Sequence, residues 1–345
     1  MGRANRYLFL LLIPLGYIIS CSSAKVHYEY PPDWKSDSAR NATITKYSEF
    51  LRGKKIFLDP GHGGEDRHNK GNFELVVEAD INLKVGLYLR EYLTQAGAEV
   101  IMSRDKDATV PLKLRSELAN TSGADVFISI HHNAPGKKED DYTNYTSTYY
   151  HALETDFEHE PSNRDIARYI QRDLAYVMDN PGGLGSFDGT YSDYNIYPKA
   201  GFSVLRLTTI PAVLVEGSFF TNKYEEQRLS LDEFNKIQAW GIFRGLAKYY
   251  KAGYPEITPL YDESISFIKD KAVLEYSLKD KAGINKKSIS VYIDSVDNDF
   301  HFNPVTSTLT LDLTKLKPGE YSVRIICANI SGNHSLPFFR KVRII

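Results

Sequence analysis

Two histidines and two glutamates of this sequence stand where short apolar runs end or where a helix is expected to begin. His62 lies in a glycine-rich turn after one run, and His131 directly follows another. Glu78 opens a segment of helical periodicity, and Glu216 ends a third apolar run. Two imidazoles and one carboxylate form the ligand set of a catalytic zinc ion that keeps a position open for water, and a further carboxylate is suited to general-base catalysis. These residue types therefore predict metal-assisted hydrolysis.

The elements that must bring these residues together are predicted by the spacing of apolar residues. Between residues 55 and 250, short apolar runs alternate with segments of helical periodicity, which indicates an α/β fold with a mixed, mostly parallel sheet flanked by helices. The runs cover residues 55–58, 99–102, 125–130, 146–151 and 212–215, and the helical segments cover 79–95, 112–120, 166–177 and 231–250. Because open α/β sheets hold their sites at the carboxyl ends of strands, we expect His62 and His131 to meet at one edge.

A different pattern begins after the helical segment that ends near residue 250. Residues 255–345 contain short alternating segments separated by Asp, Asn, Gly and Pro, as is typical of a small immunoglobulin-like β-sandwich. We expect this accessory domain to bind a glycan or a protein activator, or to act as a spacer. Cys327 lies within one of its apolar runs and is expected to be buried.

The N-terminus has the features of an export signal. Arg3 and Arg6 precede an apolar run at residues 7–19 that is too short to span a bilayer, and Cys21 follows it. Residues 1–21 resemble a bacterial lipoprotein signal, in which the cysteine becomes the lipidated N-terminus; the alternative is a plain secretory signal. The polar residues 22–53 are predicted to be a tether. We expect the protein to lie in the cell envelope, anchored by lipid at the outer membrane and facing the periplasm.

Charge and cysteine content exclude other classes of protein. The net charge is −2 and the isoelectric point is about 6.5, so there is no basic field of the kind that binds nucleic acid. The two cysteines, Cys21 and Cys327, are far apart and form no CxxC pair. A metal ion must therefore be bound by His, Asp or Glu.

Six motifs in the segment from about residue 55 to residue 250 resemble, in order, those of the zinc-dependent N-acetylmuramoyl-L-alanine amidases of type 3. The motifs are DPGHGG, Glu-x-Asp-x-Asn-Leu, SRDKD, LRSELAN, FISIHHNA and PAVLVEGSFFTN. The resemblance makes residues 54–253 a zinc amidase domain and implies that His62, Glu78 and His131 bind zinc and that Glu216 is the catalytic carboxylate. In the family the histidine directly after Ser-Ile is the ligand, which selects His131 over His132. The role of His132 stays open.

The activity implied by this resemblance is hydrolysis of the amide bond between N-acetylmuramic acid and L-alanine in peptidoglycan. Such cleavage serves cell-wall remodelling, daughter-cell separation or recycling. Two alternatives use the same residues differently: a zinc peptidase or deacetylase acting on the same polymer, and a lipoprotein that binds peptidoglycan without cutting it. Arg104, Asp107 and Arg115 match the family pattern and are expected to hold the loop and helix after the second strand by hydrogen bonds and charge pairing.

Two segments depart from the family. Residues 65–71 differ from the usual turn and are expected to alter one wall of the cleft. Residues 181–201 are too short and too rich in glycine to be the helix that plugs the zinc site of division-linked members, so we expect an enzyme without that self-inhibition. Three tyrosines of this segment, Tyr191, Tyr194 and Tyr197, either flank the substrate or take part in packing.

Overall fold

The computed structural model describes residues 29–137, 139–153, 155, 159–180, 188–261 and 266–345. The signal segment, Cys21 and residues 181–187 of the predicted loop lie outside these ranges. Within the described part of the chain, no helix has the length and apolar character needed to cross a membrane.

A six-stranded sheet forms the centre of the first domain. Four neighbouring strands in the order β2-β1-β3-β6 are parallel, β4 is antiparallel to β6, and β5 at the edge is parallel to β4. The strands are β1 Lys55–Pro60, β2 Glu99–Met102, β3 Val126–Asn133, β4 Ser147–Tyr150, β5 Thr190–Ser192 and β6 Ala212–Phe219. The prediction of a mixed, mostly parallel sheet is confirmed.

Helices cover both faces of this sheet. They are α1 Asp37–Leu51, α2 Glu78–Gln95, α3 Leu112–Thr121, α4 Pro161–Met178, α5 Ser203–Arg206, α6 Glu225–Leu229 and α7 Asp232–Ala252. The larger core lies between the sheet and α1, α2, α4 and α7, and a smaller core lies under α3 and α5. Successive residues of β1 alternate between the two cores: Ile56 and Leu58 face the larger one and Phe57 the smaller. Burial on both faces explains why these strands read as continuous apolar runs.

Helix α1 lies in the segment that was predicted to be a tether. Ser36 caps its first turn by accepting a hydrogen bond from the Ala39 amide at 3.2 Å. Ile44, Tyr47 and Leu51 form a narrow apolar stripe that is buried in the larger core. Residues 37–51 are therefore part of the folded body rather than a tether. The polar residues around the stripe hide its helical spacing in the sequence.

The C-terminal residues form two antiparallel four-stranded sheets around a separate core. The sheet orders are β10-β9-β13-β14 and β11-β12-β8-β7, an arrangement consistent with a β-sandwich. The strands are β7 Glu256–Pro259, β8 Val273–Lys279, β9 Ile284–Ile293, β10 Val296–Asp297, β11 His301–Asn303, β12 Thr308–Asp312, β13 Gly319–Asn329 and β14 Phe339–Ile344. Cys327 is fully buried in this core, as predicted.

Polar contacts join the two domains. The buried Asp165 carboxylate near the start of α4 accepts hydrogen bonds from the backbone amide of His334 at 2.7 Å and lies 2.9 Å from its Nδ1. The Gly253 carbonyl after α7 accepts from the amides of Asn329 and Asn333 at 3.3 and 2.8 Å.

This junction lies at the amino edge of the parallel strands. Strand β4 runs against β6, so its last residue, Tyr150, pairs with Val213 near the start of β6, and α4 follows from that edge. At the end of α7, the ring of Tyr250 lies 5.0 Å from the ammonium of Lys54, which directly precedes β1. The sandwich is therefore attached at the edge opposite the carboxyl ends of β1, β3 and β6.

Candidate active site

Three potential metal ligands meet at the carboxyl edge of the sheet. His62 follows β1, His131 lies near the end of β3, and Glu78 is the first residue of α2. One donor atom from each lies within 4.8 Å of the others. His62 has a left-handed backbone with φ of 59°, and a Cβ on Gly61 would lie 2.1 Å from Cε1 of the His131 ring. The glycine thus allows the turn after β1 to approach the ring on β3.

The Glu78 carboxylate bridges the two imidazoles. Its Oε2 lies 3.1 Å from Nε2 of His62, and its Oε1 lies 3.0 Å from Nδ1 of His131. Asn69 adds a hydrogen bond from its side-chain amide to Oε2 of Glu78 at 2.6 Å. Glu78 is almost completely buried. A buried carboxylate held between two imidazoles is a concentrated negative charge that favours a cation.

The pKa values of this cluster shift in opposite directions. Burial acts to raise the pKa of Glu78, but the hydrogen bonds and charges of His131 and His62 outweigh it and hold the pKa well below its usual value. Burial acts to lower the pKa of His62, but Glu78 and Asp66 outweigh it and raise that pKa to about 9. Without a metal ion, His62 is therefore protonated at neutral pH and pairs with Glu78.

The donor set fits zinc. Two imidazole nitrogens and one carboxylate oxygen are the ligands of many catalytic zinc sites. The Asp66 carboxylate lies 2.7 Å from Nδ1 of His62, which leaves Nε2 directed at Glu78 and the centre of the cluster. A carboxylate on the second ring nitrogen is the usual way in which a histidine ligand is oriented.

Glu216 stands beside this cluster. It lies on β6 in register with His131 on β3. Its Oε2 atom is buried and has no hydrogen-bond partner within the described part of the chain. Burial and the nearby charge of Glu78 raise the pKa of Glu216 well above its usual value. A buried, unpaired carboxylate oxygen is unfavourable in itself, so its presence next to three potential ligands indicates a functional group.

A cleft of about 620 Å³ opens over these residues. Tyr197, Phe202 and Arg206 line it together with the four candidate site residues. Of the three tyrosines singled out from the sequence, Tyr197 alone lines the cleft. Tyr191 stacks on Tyr149 with ring centroids 5.7 Å apart, and Tyr194 packs against the larger core.

The arginines of the family pattern hold the turn that carries His62, whereas we expected them to hold the loop and helix after the second strand. Arg104 donates to the carbonyls of Pro60 and Gly61, both at 2.8 Å. Arg115 donates to the Asp59 carboxylate at 2.7 Å and to the His62 carbonyl at 2.9 Å. Asp107, the acid of the same pattern, accepts from the Gly64 amide at 2.7 Å. Most of these bonds satisfy backbone carbonyl and amide groups of the turn.

The sequence reasoning missed four polar residues around the ligands. Asp66 and Asn69 belong to the segment that departs from the family, and they contact His62 and Glu78. The third is Asn82, one helical turn after Glu78, which donates to Oε1 of Glu78 at 3.3 Å. The fourth is Gln238, which contacts the ring of His132. The spacing of four between Glu78 and Asn82 on one helix is a sequence signal for Asn82. Gln238 lies on α7 and has no such signal.

His132 is buried and lines the cleft beside the candidate site residues. Its ring nitrogens each lie 2.7 Å from a side-chain amide, Nδ1 from that of Asn82 and Nε2 from that of Gln238. Burial lowers the pKa of His132 to about 4. His131 rather than His132 therefore lies in the cluster of potential ligands.

An open cleft at the carboxyl edge of an α/β sheet, with a cluster of potential ligands beside an unpaired carboxylate, is the layout of a hydrolase site. Comparison with known proteins specifies the reaction. Residues 56–248 match the Amidase_3 family, described as N-acetylmuramoyl-L-alanine amidase. The germination-specific N-acetylmuramoyl-L-alanine amidase of Bacillus subtilis is 30% identical over 251 residues, which cover 68% of this chain and 92% of that protein.

Two further similar proteins are also N-acetylmuramoyl-L-alanine amidases. The amidase AmiC of Escherichia coli is 27% identical over 57% of this chain and 53% of its own length. The crystal structure of the N-acetylmuramoyl-L-alanine amidase from Clostridium difficile 630 is 30% identical, with a TM-score of 0.50, and the match covers 58% of this chain and 98% of that one. The chain belongs to the Amidase_3 family. It hydrolyses the amide bond between N-acetylmuramic acid and L-alanine of peptidoglycan in cell-wall remodelling, as predicted.

Proposed function

We propose that this amidase is a zinc enzyme in which His62, Glu78 and His131 bind the metal and Glu216 is the catalytic carboxylate. The observation that carries the proposal is the cluster of three donors within 4.8 Å beside the unpaired Oε2 atom of Glu216. A cation in the cluster stabilises the buried charge of Glu78 and lowers the proton affinity of Glu216, because both interactions are electrostatic.

Glu216 moves the proton in this proposal. Bound zinc supplies Lewis-acid chemistry, which polarises a carbonyl and acidifies water. The Glu216 carboxylate accepts a proton from the water that attacks the lactyl carbonyl carbon, and it then donates that proton to the amide nitrogen as the C–N bond breaks. The products are the lactyl carboxylate of the glycan and a stem peptide with a free amino group on L-alanine.

Metal content and product identity test the proposal together. The full-length protein, purified in detergent, is incubated with purified peptidoglycan before and after treatment with a chelator, and again after zinc is restored. We expect stem peptides that begin with L-alanine, identified by mass spectrometry, to be lost with chelation and to return with zinc. Fragments cut between amino acids, or released acetate, would instead indicate a zinc peptidase or deacetylase.

Two histidines close in sequence provide a matched comparison. His62→Ala removes a proposed ligand, whereas His68→Ala removes an exposed histidine outside the cluster. We expect the first variant to lose zinc and activity and the second to keep both. Equal zinc content in the two variants would reject the ligand assignment.

We also propose that no partner is needed for basal activity. The cleft has a volume of about 620 Å³. Beside it lie the described residues 188–201, which form β5 and a 3₁₀ turn; they belong to the segment that was predicted not to plug the zinc site. Activity of the purified protein alone on peptidoglycan is the expected result. Activity that appears only after another envelope protein is added would contradict it.

We further propose that the mature protein starts at lipidated Cys21 and is held at the outer membrane, facing the periplasm. The support is the sequence alone: a basic start, a short apolar run and the cysteine that follows it. Cys21→Ala is expected to release the protein from membranes into the soluble envelope fraction. Retention of this variant in the membrane pellet would contradict the anchor.

For the C-terminal domain we propose an immunoglobulin-like sandwich that binds a glycan or a protein activator. Its attachment at the amino edge, away from the cleft, supports a role outside the chemical step. Deleting residues 255–345 is then expected to reduce activity on whole cell walls more than on soluble muropeptides. An equal loss on both substrates would point to a purely stabilising role.

A further inference from the structure

A chain of buried polar side chains runs from α7 to the proposed zinc ligand Glu78. Asn235 donates to the Leu229 carbonyl at 3.0 Å and accepts from the amide nitrogen of Gln238 at 3.1 Å. Gln238 lies 2.7 Å from Nε2 of His132. All three side chains are almost completely buried, at 0%, 1% and 3% exposure. Buried polar groups of this kind are unfavourable without partners, and here each of the three side chains lies within hydrogen-bond distance of another polar group.

The other end of the chain reaches the carboxylate. Nδ1 of His132 lies 2.7 Å from Oδ1 of Asn82, whose amide nitrogen is 3.3 Å from Oε1 of Glu78. The backbone amide of His132 donates to the same oxygen at 3.1 Å. His132 therefore constrains Glu78 both through Asn82 and through its own main chain.

The same residues also fix the main chain next to Glu216. A Cβ on Gly217 would lie 2.6 Å from Oε1 of Gln238 and 2.9 Å from Nε2 of His132. The strand that carries Glu216 thus packs directly against the His132 and Gln238 side chains, and the absence of a side chain at 217 permits this contact. His132 and Gln238 therefore contact groups next to Glu78 and groups next to Glu216.

We propose that His132 and Gln238 are positioning residues that hold Glu78 in the orientation needed to bind the metal and keep Glu216 beside it. The proposal rests on the proposed zinc site. Neither side chain touches substrate in this role. A pair of apolar side chains would fill the same space without hydrogen bonds, but it would remove the contact through which His132 orients Asn82 and, through it, Glu78. Loss of a group that orients a metal ligand typically weakens metal binding about 10- to 100-fold.

Two buried glutamines allow a matched test. Gln238→Met keeps the length and approximate volume of the side chain and removes its hydrogen bonds to His132 and Asn235. Gln171→Met does the same on α4, where Gln171 is fully buried, accepts from Thr148 at 2.9 Å and donates to the Thr146 carbonyl at 2.9 Å. Both variants lose buried hydrogen bonds, but only the first loses a contact in the chain that ends at Glu78.

The primary measurement is the zinc dissociation constant of the full-length protein in competition with a chromophoric chelator. We expect Gln238→Met to raise it roughly 10-fold or more and Gln171→Met to leave it close to wild type. The visible spectrum of the cobalt(II)-substituted protein is a second measurement, expected to change for Gln238→Met alone. Should Gln238→Met fail to fold by far-UV circular dichroism, Gln238→Asn, which shortens the amide by one methylene, is measured in the same way.

The outcomes separate this proposal from the zinc site itself. If wild type binds zinc, His62→Ala does not, and both glutamine variants bind it like wild type with unchanged cobalt spectra, the positioning proposal is rejected while the zinc site stands. If both glutamine variants lose affinity equally, the effect is one of general stability and the proposal is also rejected. If wild type and His62→Ala bind zinc with the same affinity, the ligand assignment itself fails.

Discussion

His131 and Glu216 occupy paired positions on the neighbouring parallel strands β3 and β6. A proposed zinc ligand and the proposed proton carrier are thus fixed relative to each other by backbone hydrogen bonds rather than by a flexible loop. Sites built on strands in this way keep their geometry more rigidly than loop sites do.

Replacing Glu216 separates proton transfer from metal binding. Glu216→Gln keeps the size of the side chain but cannot accept the proton, so we expect turnover on peptidoglycan to fall by roughly 100- to 10,000-fold. Zinc content should be unchanged, because Glu216 is not among the three clustered donors. Glu256→Gln, at an exposed position on β7, is the control and should behave like wild type. Turnover of Glu216→Gln above a tenth of the wild-type rate would remove Glu216 from its proposed role.

Two glycines differ in the space that surrounds them. A Cβ at Gly61 would lie 2.1 Å from Cε1 of His131, whereas a Cβ at Gly136 has nothing within 4 Å. Gly61→Ala is therefore expected to displace the His131 ring, abolish zinc binding and destabilise the protein. Gly136→Ala should leave both properties close to wild type. Thermal unfolding and zinc titration measure the two effects, and a Gly61→Ala variant that binds zinc normally would contradict the described turn.

The raised pKa of His62 predicts a pH dependence of stability in the metal-free protein. A group whose pKa is higher in the folded state stabilises that state fully below its ordinary value of 6.5, and the contribution is lost as the pH rises through about 9. In the presence of a chelator, the free energy of unfolding should therefore fall between pH 6.5 and pH 9.5. The measurement is denaturant unfolding at several pH values.

Two comparisons check that this dependence belongs to His62. The decrease should be smaller in His62→Ala and unchanged in His68→Ala. With zinc present it should be offset, since the metal binds the neutral ring and competes with the proton. A metal-free His62→Ala protein with the full wild-type decrease would assign the effect to another group.

Cys327 is expected to be inert in the folded protein. Burial raises the pKa of its thiol to about 12, against an ordinary value of 9.0. A higher thiol pKa means less thiolate, so at pH 8 the reactive form is roughly 1,000-fold scarcer than in an ordinary cysteine. Alkylation with iodoacetamide should modify Cys327 quickly only after unfolding. Rapid labelling of the native protein, located by peptide mass spectrometry, would show that the sandwich core is open.

Much of the catalytic fold was predictable because its elements are long and strongly periodic. The segments predicted for β1, α2 and α7 lie within two residues of the observed boundaries, and the segment predicted for β3 ends three residues early. Helix α1 was missed because three buried residues, Ile44, Tyr47 and Leu51, stand among polar neighbours. Its burial depends on α7, which lies far along the chain, so the local sequence carries a weak signal.

Less of the candidate site than of the fold was predictable from the sequence. His62, His131 and Glu216 were singled out from the sequence because each follows an apolar run, and a polar residue there has a limited set of uses. His132 received no role from the sequence, and its contact with Gln238 joins residues 106 positions apart. Hydrogen bonds between distant buried side chains depend on how helices pack on the sheet, and no local pattern records that packing.

The attachment of the sandwich at the amino edge of the sheet separates it from the cleft by the length of the catalytic domain. The cleft and the sandwich lie at opposite edges of the catalytic domain. Contacts such as that between the buried Asp165 and His334 join the sandwich to this domain. A ligand bound by the sandwich, as proposed, would be a different molecule from the one in the cleft or a distant stretch of the same polymer, and the domain between them would set the distance from that point to the bond that is cut.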